Sequence, residues 1–287
     1  MLYQLSYTPA AAARPTAAAA NWQGGSPPGV LSTPQMHAPA EPIIQPETLL
    51  LAYRSGIFPM ADGRDDPEIF YVEPRNRAIL PLDRFRCTRS LARTLRQDRF
   101  RVTCNEDFAA VIAACAEPRP DHPETWISRR IEASYRALHL HGNAHSLEVW
   151  QGEDLVGGLY GVGFDQVFCG ESMFSRAPNA SKVALAWLVA AMKAARMRLL
   201  DCQFMTEHLA SMGAIEIGQE RYLDLLGAAQ DLREPGDQAV GASGVGAGAG
   251  AGAGALPLPD GFALLAGGGS GDSSPGKLIA QDLTQTS

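Results

Sequence analysis

The chain has 287 residues, 46% of them hydrophobic, and a net charge of −7, enough for one large domain or two smaller ones. The acidic balance excludes a uniformly basic nucleic-acid coat. No run of about 18 strongly apolar residues could span a membrane, and the Ala-rich start lacks the basic-then-apolar order of a secretory signal.

Residues 1–41 are mostly Ala, Pro, Gly, Ser and Gln with no helical or strand period. They are expected to be a disordered tail, because such a segment buries too little surface to offset its ordering entropy. Residues 46–57 read as a helix closed by glycine. IFPM follows as a turn, and IFYVEPRNRAILPL as a strand pair with a loop. TRSLARTLRQ, 88–97, is a short helix with Thr88 as its cap.

FRVTC is the next strand, NEDFAAVIAACAE a helix, and Ile127 to Leu140 another helix. HSLEVW, EDLVGGLYGV and DQVFCGESM form three successive strands with turns at Gln151-Gly152 and Phe164-Asp165. Residues 179–196 are an apolar helix capped by Asn179 or Ser181, and RLLDCQF is a strand. HLASMG is a short helix ended by Gly213, and AIEIG the final strand. Residues 229–287, with their GAGAGAGAGA tract, read as a low-complexity C-terminal tail, of which SPGKLIAQDLTQTS is a candidate ordered segment. The plan is α+β.

Two strings carry polar groups on apolar elements. FCGESMFSR, 168–176, sets Glu171 in a β-leaning run, and LLDCQF sets Asp201 and Gln203 two apart. Residues two apart on a strand share a face, so a carboxylate and an amide can meet one site with a second carboxylate nearby. A strand-end turn or cap is the plainer role for Asp201. From Arg75 to Arg101 nine arginines stand against two acids, a local charge of +7. Arg84, Arg86, Arg89, Arg93 and Arg96 lie within it, and 89, 93 and 96 share a helix face. A polyanion docking surface explains them better than a solvated helix face. The five cysteines, Cys87, Cys104, Cys115, Cys169 and Cys202, form no C-x-x-C pair and read as reduced, buried thiols in a cytoplasmic protein. His139, His141 and His145 span a helix end and a turn, which scatters them rather than building a zinc site. No metal is expected.

The strings AYRSGIFPM, TWISRR, HSLEVW, LVGGLYGV, FCGESMFSR, NASKVAL, DCQF and HLASMGAIEI, in this order over roughly residues 45–226, resemble the leucyl/phenylalanyl-tRNA–protein transferases. The resemblance implies a small N-terminal α/β domain at 42–80 followed by a larger domain at 81–228 of GNAT-type acyltransferase fold, between the two tails. It implies transfer of Leu, Phe and, less well, Met from aminoacyl-tRNA to the N-terminal Arg or Lys of a protein, marking it for degradation. The family needs no cofactor, and a monomer is expected. By this resemblance Gln203 accepts a hydrogen bond from the attacking amine, Asp201 orients that amide, and Glu171 holds the aminoacyl end or the incoming N-terminus. A ribose hydroxyl of the tRNA is the alternative proton shuttle. Leu159, Phe168, Met173, Leu185, Leu188 and Leu200 align with or lie beside the family's side-chain pocket, although a pocket and an ordinary core share one composition. Trp126 either stacks on the terminal adenine, walls the pocket or is a core tryptophan at a helix start. FYVEP, 70–74, stands where the family has WWSP, so two indoles are replaced by Phe70 and Tyr71. Two rivals are a coenzyme A-dependent acetyltransferase of the same fold and a non-catalytic tRNA-binding module. The first needs an [RQ]-x-x-G-x-[GA] turn that is missing from 42–228. The second leaves Glu171, Asp201 and Gln203 idle.

Overall fold

A computed structural model describes residues 43–118, 124–231, 255–267 and 274–285; the N-terminal tail expected at 1–41 lies outside them. Helix α1 (Pro46–Arg54) leads into β1 (Phe58–Met60), which pairs antiparallel with β2 (Phe70–Val72). The IFPM segment is therefore mainly strand rather than turn. The strand β3 (Asn76–Ile79) does not pair with β2 as the sequence suggested. It joins a seven-stranded sheet, because Ala78 and Leu80 pack on one face of that sheet and Ile79 on the other.

The sheet continues through β4 (Arg101–Cys104), β5 (Ala144–Gln151), β6 (Asp154–Phe164), β7 (Val167–Ser175), β8 (Leu199–Gln203) and β9 (Ile215–Gly218). Its order is β4-β5-β6-β7-β8-β3-β9. Every neighbouring pair is antiparallel except β7 and β8. A parallel pair needs a long crossover, and α5 (Ala180–Ala194) supplies it.

Two apolar cores sit on opposite faces of the sheet. One gathers α2 (Arg89–Arg96) and α5. The other gathers α1, α3 (Phe108–Cys115), α4 (Arg129–Leu140) and α7 (Gln219–Gln230). A short helix, α6 (Glu207–Ser211), ends at Gly213, whose φ is +102°. Local chemistry sets the helix starts: Thr88, Asp107 and Ser128 accept from the backbone N–H groups of Leu91, Ala110 and Ile131. Neither Asn179 nor Ser181 caps α5 in this way. Asn179 is left-handed and makes no side-chain cap bond. The Ser181 N–H, left open at the helix start, is taken by the Ser175 hydroxyl from the end of β7.

The segment 229–287 departs from a featureless tail. It forms α8 (Leu258–Gly267) and α9 (Pro275–Gln285). Leu258, Phe262, Ile279, Ala280 and Leu283 are buried in the core that holds α5. The ordered segment suspected at SPGKLIAQDLTQTS is α9, which packs on α2, while α8 packs on α5.

Candidate functional site

The site forms where β7 and β8 part. Their pairing runs from Val167↔Leu199 to Cys169↔Asp201 and stops, while β7 continues to Ser175. Opposite β6 the register jumps: Tyr160 faces Ser172 and Gly161 faces Gly170, so Glu171 has no partner across the ladder. Such a bulge re-aims a side chain. Gly161 is required there, because a Cβ would collide with the Cys169 carbonyl and the Phe168 ring.

A cavity of about 460 Å³, counting its open mouth, lies in the gap. Five of the expected pocket residues line it: Leu159, Met173, Leu185, Leu188 and Leu200. Two do not. Phe168 is fully buried in the core beneath it, and Trp126 packs in the other core, with its carbonyl accepting from Ala61 N–H at 3.3 Å. The sequence reading missed Cys202, Thr206, His208 and Leu209, which complete the wall together with Glu171. Burial lowers the His208 pKa to about 4, so the imidazole is neutral at pH 7.

Glu171 is 1% exposed. Its Oε1 accepts from Gln203 Nε2 at 2.8 Å, and its Oε2 accepts from Tyr135 OH at 3.0 Å. Tyr53 and Tyr135 share a short hydrogen bond between their hydroxyls. Gln203 carries φ +60°. Its amide nitrogen is committed to Glu171, which leaves the carboxamide oxygen on the other prong. Asp201 meets Gln203 at its backbone rather than at that carboxamide. Its Oδ1 accepts from the Gln203 backbone N–H at 2.8 Å. Its two oxygens also take a bidentate pair from Arg77, at 2.9 and 2.6 Å, and the Tyr222 hydroxyl at 2.9 Å.

Burial raises the Glu171 pKa from 4.5 to about 7, against the hydrogen bonds from Tyr53, Gln203 and Tyr135 that favour the ionised form. A raised carboxyl costs stability as pH climbs from its unfolded value through its folded one. The cost is absent near pH 4 and fully present above pH 7, where it amounts to about 3 kcal/mol. Glu171→Gln is therefore expected to be more stable than the parent in urea at pH 8, with the gap shrinking at pH 5. An equal gap at both pH values would mean that no buried charge forms.

The arginines divide into two groups. Arg84, Arg86, Arg89, Arg93 and Arg96 are all exposed, and among the described residues none forms an ion pair. Leu91, Ala92, Thr94 and Leu95 turn inward, so α2 presents its guanidiniums to solvent. Two others do not belong to a docking stripe: Arg77 is buried, and Arg101 is held by Glu106 at 2.8 Å. The histidines are engaged apart, His139 on the Ala144 carbonyl, His141 on Asn143 and His145 on Asn105. Among the described residues no group of three His, Cys, Asp or Glu is placed to hold a metal. None of the five cysteines forms a disulfide among the described residues, and burial pushes the Cys104 thiol up to about 12. No helix among the described residues is long and apolar enough to cross a membrane.

Comparison with known proteins matches the span of the chain that carries the sheet and its helices. Residues 43–75 match the leucyl/phenylalanyl-tRNA protein transferase N-terminal domain, and residues 79–227 match the leucyl/phenylalanyl-tRNA protein transferase model. A leucyl/phenylalanyl-tRNA–protein transferase of Novosphingobium aromaticivorans is 61% identical over 258 residues, covering 85% of this chain and 97% of the relative. Its namesake from Zymomonas mobilis is 58% identical over 187 residues, covering 65% and 70%. One from Rhodopseudomonas palustris is 56% identical over 183 residues, covering 64% and 82%. Among solved structures, L-PGS from Bacillus licheniformis overlaps at a TM-score of 0.35 and 10% identity, covering 65% of this chain and 71% of that one, too loosely to define a fold. A family model that matches more than half of the chain, its N-terminal-domain companion, and relatives more than half identical make this chain a transferase of the leucyl/phenylalanyl-tRNA–protein transferase family.

Proposed function

We propose that the chain moves Leu, Phe and, less well, Met from aminoacyl-tRNA to the N-terminal Arg or Lys of acceptor proteins, marking them for degradation. It acts as a cytoplasmic monomer, with a small N-terminal unit ahead of a larger one of GNAT type. The observation that carries this reading is the cavity of leucines that ends on Glu171, itself bonded to Gln203. The donor is an ester and the nucleophile an amine, so the peptide bond forms without further energy input or a cofactor. An α-amino group has a pKa of about 7.7–8.0, and an appreciable minority is neutral at pH 7. The Gln203 oxygen receives the amine N–H. Glu171, with its pKa near 7, is matched to accept the amine's proton as the carbonyl is attacked, and the ester C–O bond breaks to release the tRNA's terminal ribose hydroxyl, which takes up a proton in turn. Orientation contributes up to about 7–11 kcal/mol in well-aligned systems.

The cavity sorts donors by shape. One methylene is worth only about 1–3 kcal/mol in an apolar pocket, but a narrow entrance rejects side chains branched at Cβ, which are stiff. Polar side chains lose water bonds that leucines cannot replace. The test is transfer of labelled amino acid from individually charged tRNAs to a protein with N-terminal Arg. Leu, Phe and Met are expected to transfer, Ile and Val poorly, and charged residues not at all. Efficient transfer of Ile or of Arg would overturn this pocket. Acetyl transfer from acetyl-coenzyme A, or tRNA binding without transfer, would favour the two rivals.

The exposed arginines of α2 fit phosphate. Binding of tRNA should weaken steeply with salt, and Arg89→Ala with Arg93→Ala should weaken it for any tRNA sequence. The slope of log K against log salt should flatten by about 0.7–0.9 for each phosphate the variant no longer neutralises. An unchanged slope would move the tRNA surface elsewhere.

A further inference from the structure

Arg77 is a buried cation with no place in the chemistry described so far. Its guanidinium lies between two rings, 4.8 Å from the centroid of Phe58 and 4.4 Å from that of Tyr222. Its Nε and Nη2 donate to the two oxygens of Asp201, and its Nη1 donates to the Gly56 carbonyl at 3.0 Å. Gly56 follows α1, Arg77 sits on β3 and Tyr222 on α7, so three separate elements meet at the guanidinium that holds Asp201.

A carboxylate offers about four acceptor positions. In Asp201 they are taken by Arg77 Nε and the Gln203 N–H on one oxygen, and by Arg77 Nη2 and Tyr222 OH on the other. Asp201 is fully buried and so occupied that substrate finds no open site on it. It reaches the reacting groups through the backbone of Gln203. Gln203 stands at φ +60°, a region that side-chain-bearing residues rarely enter unless held. The bond from its N–H to Asp201 is a local restraint on that turn, and the turn delivers the carboxamide to Glu171.

We propose that Arg77 and Tyr222 are positioning residues that lock Asp201 so that it fixes the Gln203 turn and aims its carboxamide at the reacting amine. This rests on the transfer reading above. Lysine keeps the charge of Arg77 but not its planar fork, so Arg77→Lys cannot hold both Asp201 oxygens. Tyr222→Phe keeps the ring on the guanidinium and removes only the hydroxyl, which preserves folding.

The experiment compares Arg77→Lys, Tyr222→Phe, Asp201→Asn and the Arg77→Lys/Asp201→Asn double variant in steady-state transfer. Arg77→Lys should lower kcat by about tenfold or more, with KM for aminoacyl-tRNA within about twofold, and Tyr222→Phe should lower it less in the same direction. The double variant should be no slower than Asp201→Asn, because both act through one group. Parent-like kcat in Arg77→Lys and Tyr222→Phe, or losses that simply add in the double variant, would overturn the proposal. A second measurement separates this from failure of the transfer reading. The ¹H–¹⁵N signals of the Gln203 carboxamide, assigned by their absence in Gln203→Ala, should move in Arg77→Lys and in Tyr222→Phe. Unmoved signals overturn the positioning role even if the parent protein transfers nothing.

Discussion

Gln203→Ala is expected to lower kcat for transfer by about 100-fold or more while KM for aminoacyl-tRNA changes by less than about twofold. The residue is 2% exposed and binds no part of the basic surface, so tRNA affinity has no reason to fall. Two effects would mix in the alanine variant, because it loses both the carboxamide and the bond to Glu171 that helps hold the backbone at φ +60°. Gln203→Asn separates them. Asparagine tolerates the left-handed region and keeps the amide, but it is one methylene too short for both Glu171 and the amine. Its kcat should fall nearly as far, with melting unchanged. For Asp201 the choice of variant matters more. Asp201→Ala strands the Arg77 guanidinium without its counter-ion, and breaking a buried pair this way costs about 3–5 kcal/mol. Its lost activity would then report unfolding. Asp201→Asn also removes the charge, but it keeps the shape and one acceptor oxygen for Arg77, and its turnover is read beside its melting temperature. Parent-like turnover in both Gln203→Asn and Asp201→Asn would remove these residues from the mechanism.

The site was partly legible because its polar groups interrupt apolar runs. Glu171 within FCGESM and Asp201 and Gln203 within LLDCQF stand out wherever a strand should be greasy. Their partners did not stand out. Arg77 lies in a stretch of arginines, and nothing in linear order distinguishes the one that turns inward on β3 from the exposed ones between Arg84 and Arg101 that follow it. Tyr135 shares an inward helix face with Ile131 and Leu138, where a tyrosine passes for core. The same ambiguity separates Phe168 from Leu159: both are apolar and on neighbouring strands, yet only Leu159 lines the cavity. Hairpins were easier. The strands β5, β6 and β7 sit where their turns place them, with Gly152 and Asp165 at positive φ between them. β3 failed that rule because its partners, β8 and β9, are more than 120 residues away in sequence. The C-terminal helices failed it too, since short apolar clusters beside a glycine-alanine tract look like filler until the surface they cover is seen.

That surface makes the second large prediction. Ending the chain at residue 254 should lower the melting temperature by at least about 10 °C. The truncation removes Leu258, Phe262, Ile279 and Leu283 from the core. Each large apolar side chain contributes about 1.5–3 kcal/mol on burial, a gross loss on the order of the whole stability of an ordinary domain. The ordering entropy of the two helices returns part of it, but α5 and α2 then lose their cover. Trp187 stands 5.2 Å from the Phe262 ring, and Lys193 pairs with Asp282 at 2.7 Å. Packing is close enough that a Cβ on Gly261 would strike the Ala191 carbonyl, and one on Gly276 the Leu95 carbonyl. Gly261→Val and Gly276→Val should therefore lift the helices away without removing any residue, and should lower melting in the same direction. Deleting residues 1–40 is the control and should leave melting unchanged, since that segment has no packing pattern. Because α5 supplies Leu185 and Leu188 to the cavity wall, whatever truncated protein stays folded should bind its donor less well while Gln203 and Glu171 keep their geometry. A rise in KM with kcat largely retained is the expected signature. Melting equal to that of the full chain would show that α8 and α9 merely rest on the domain.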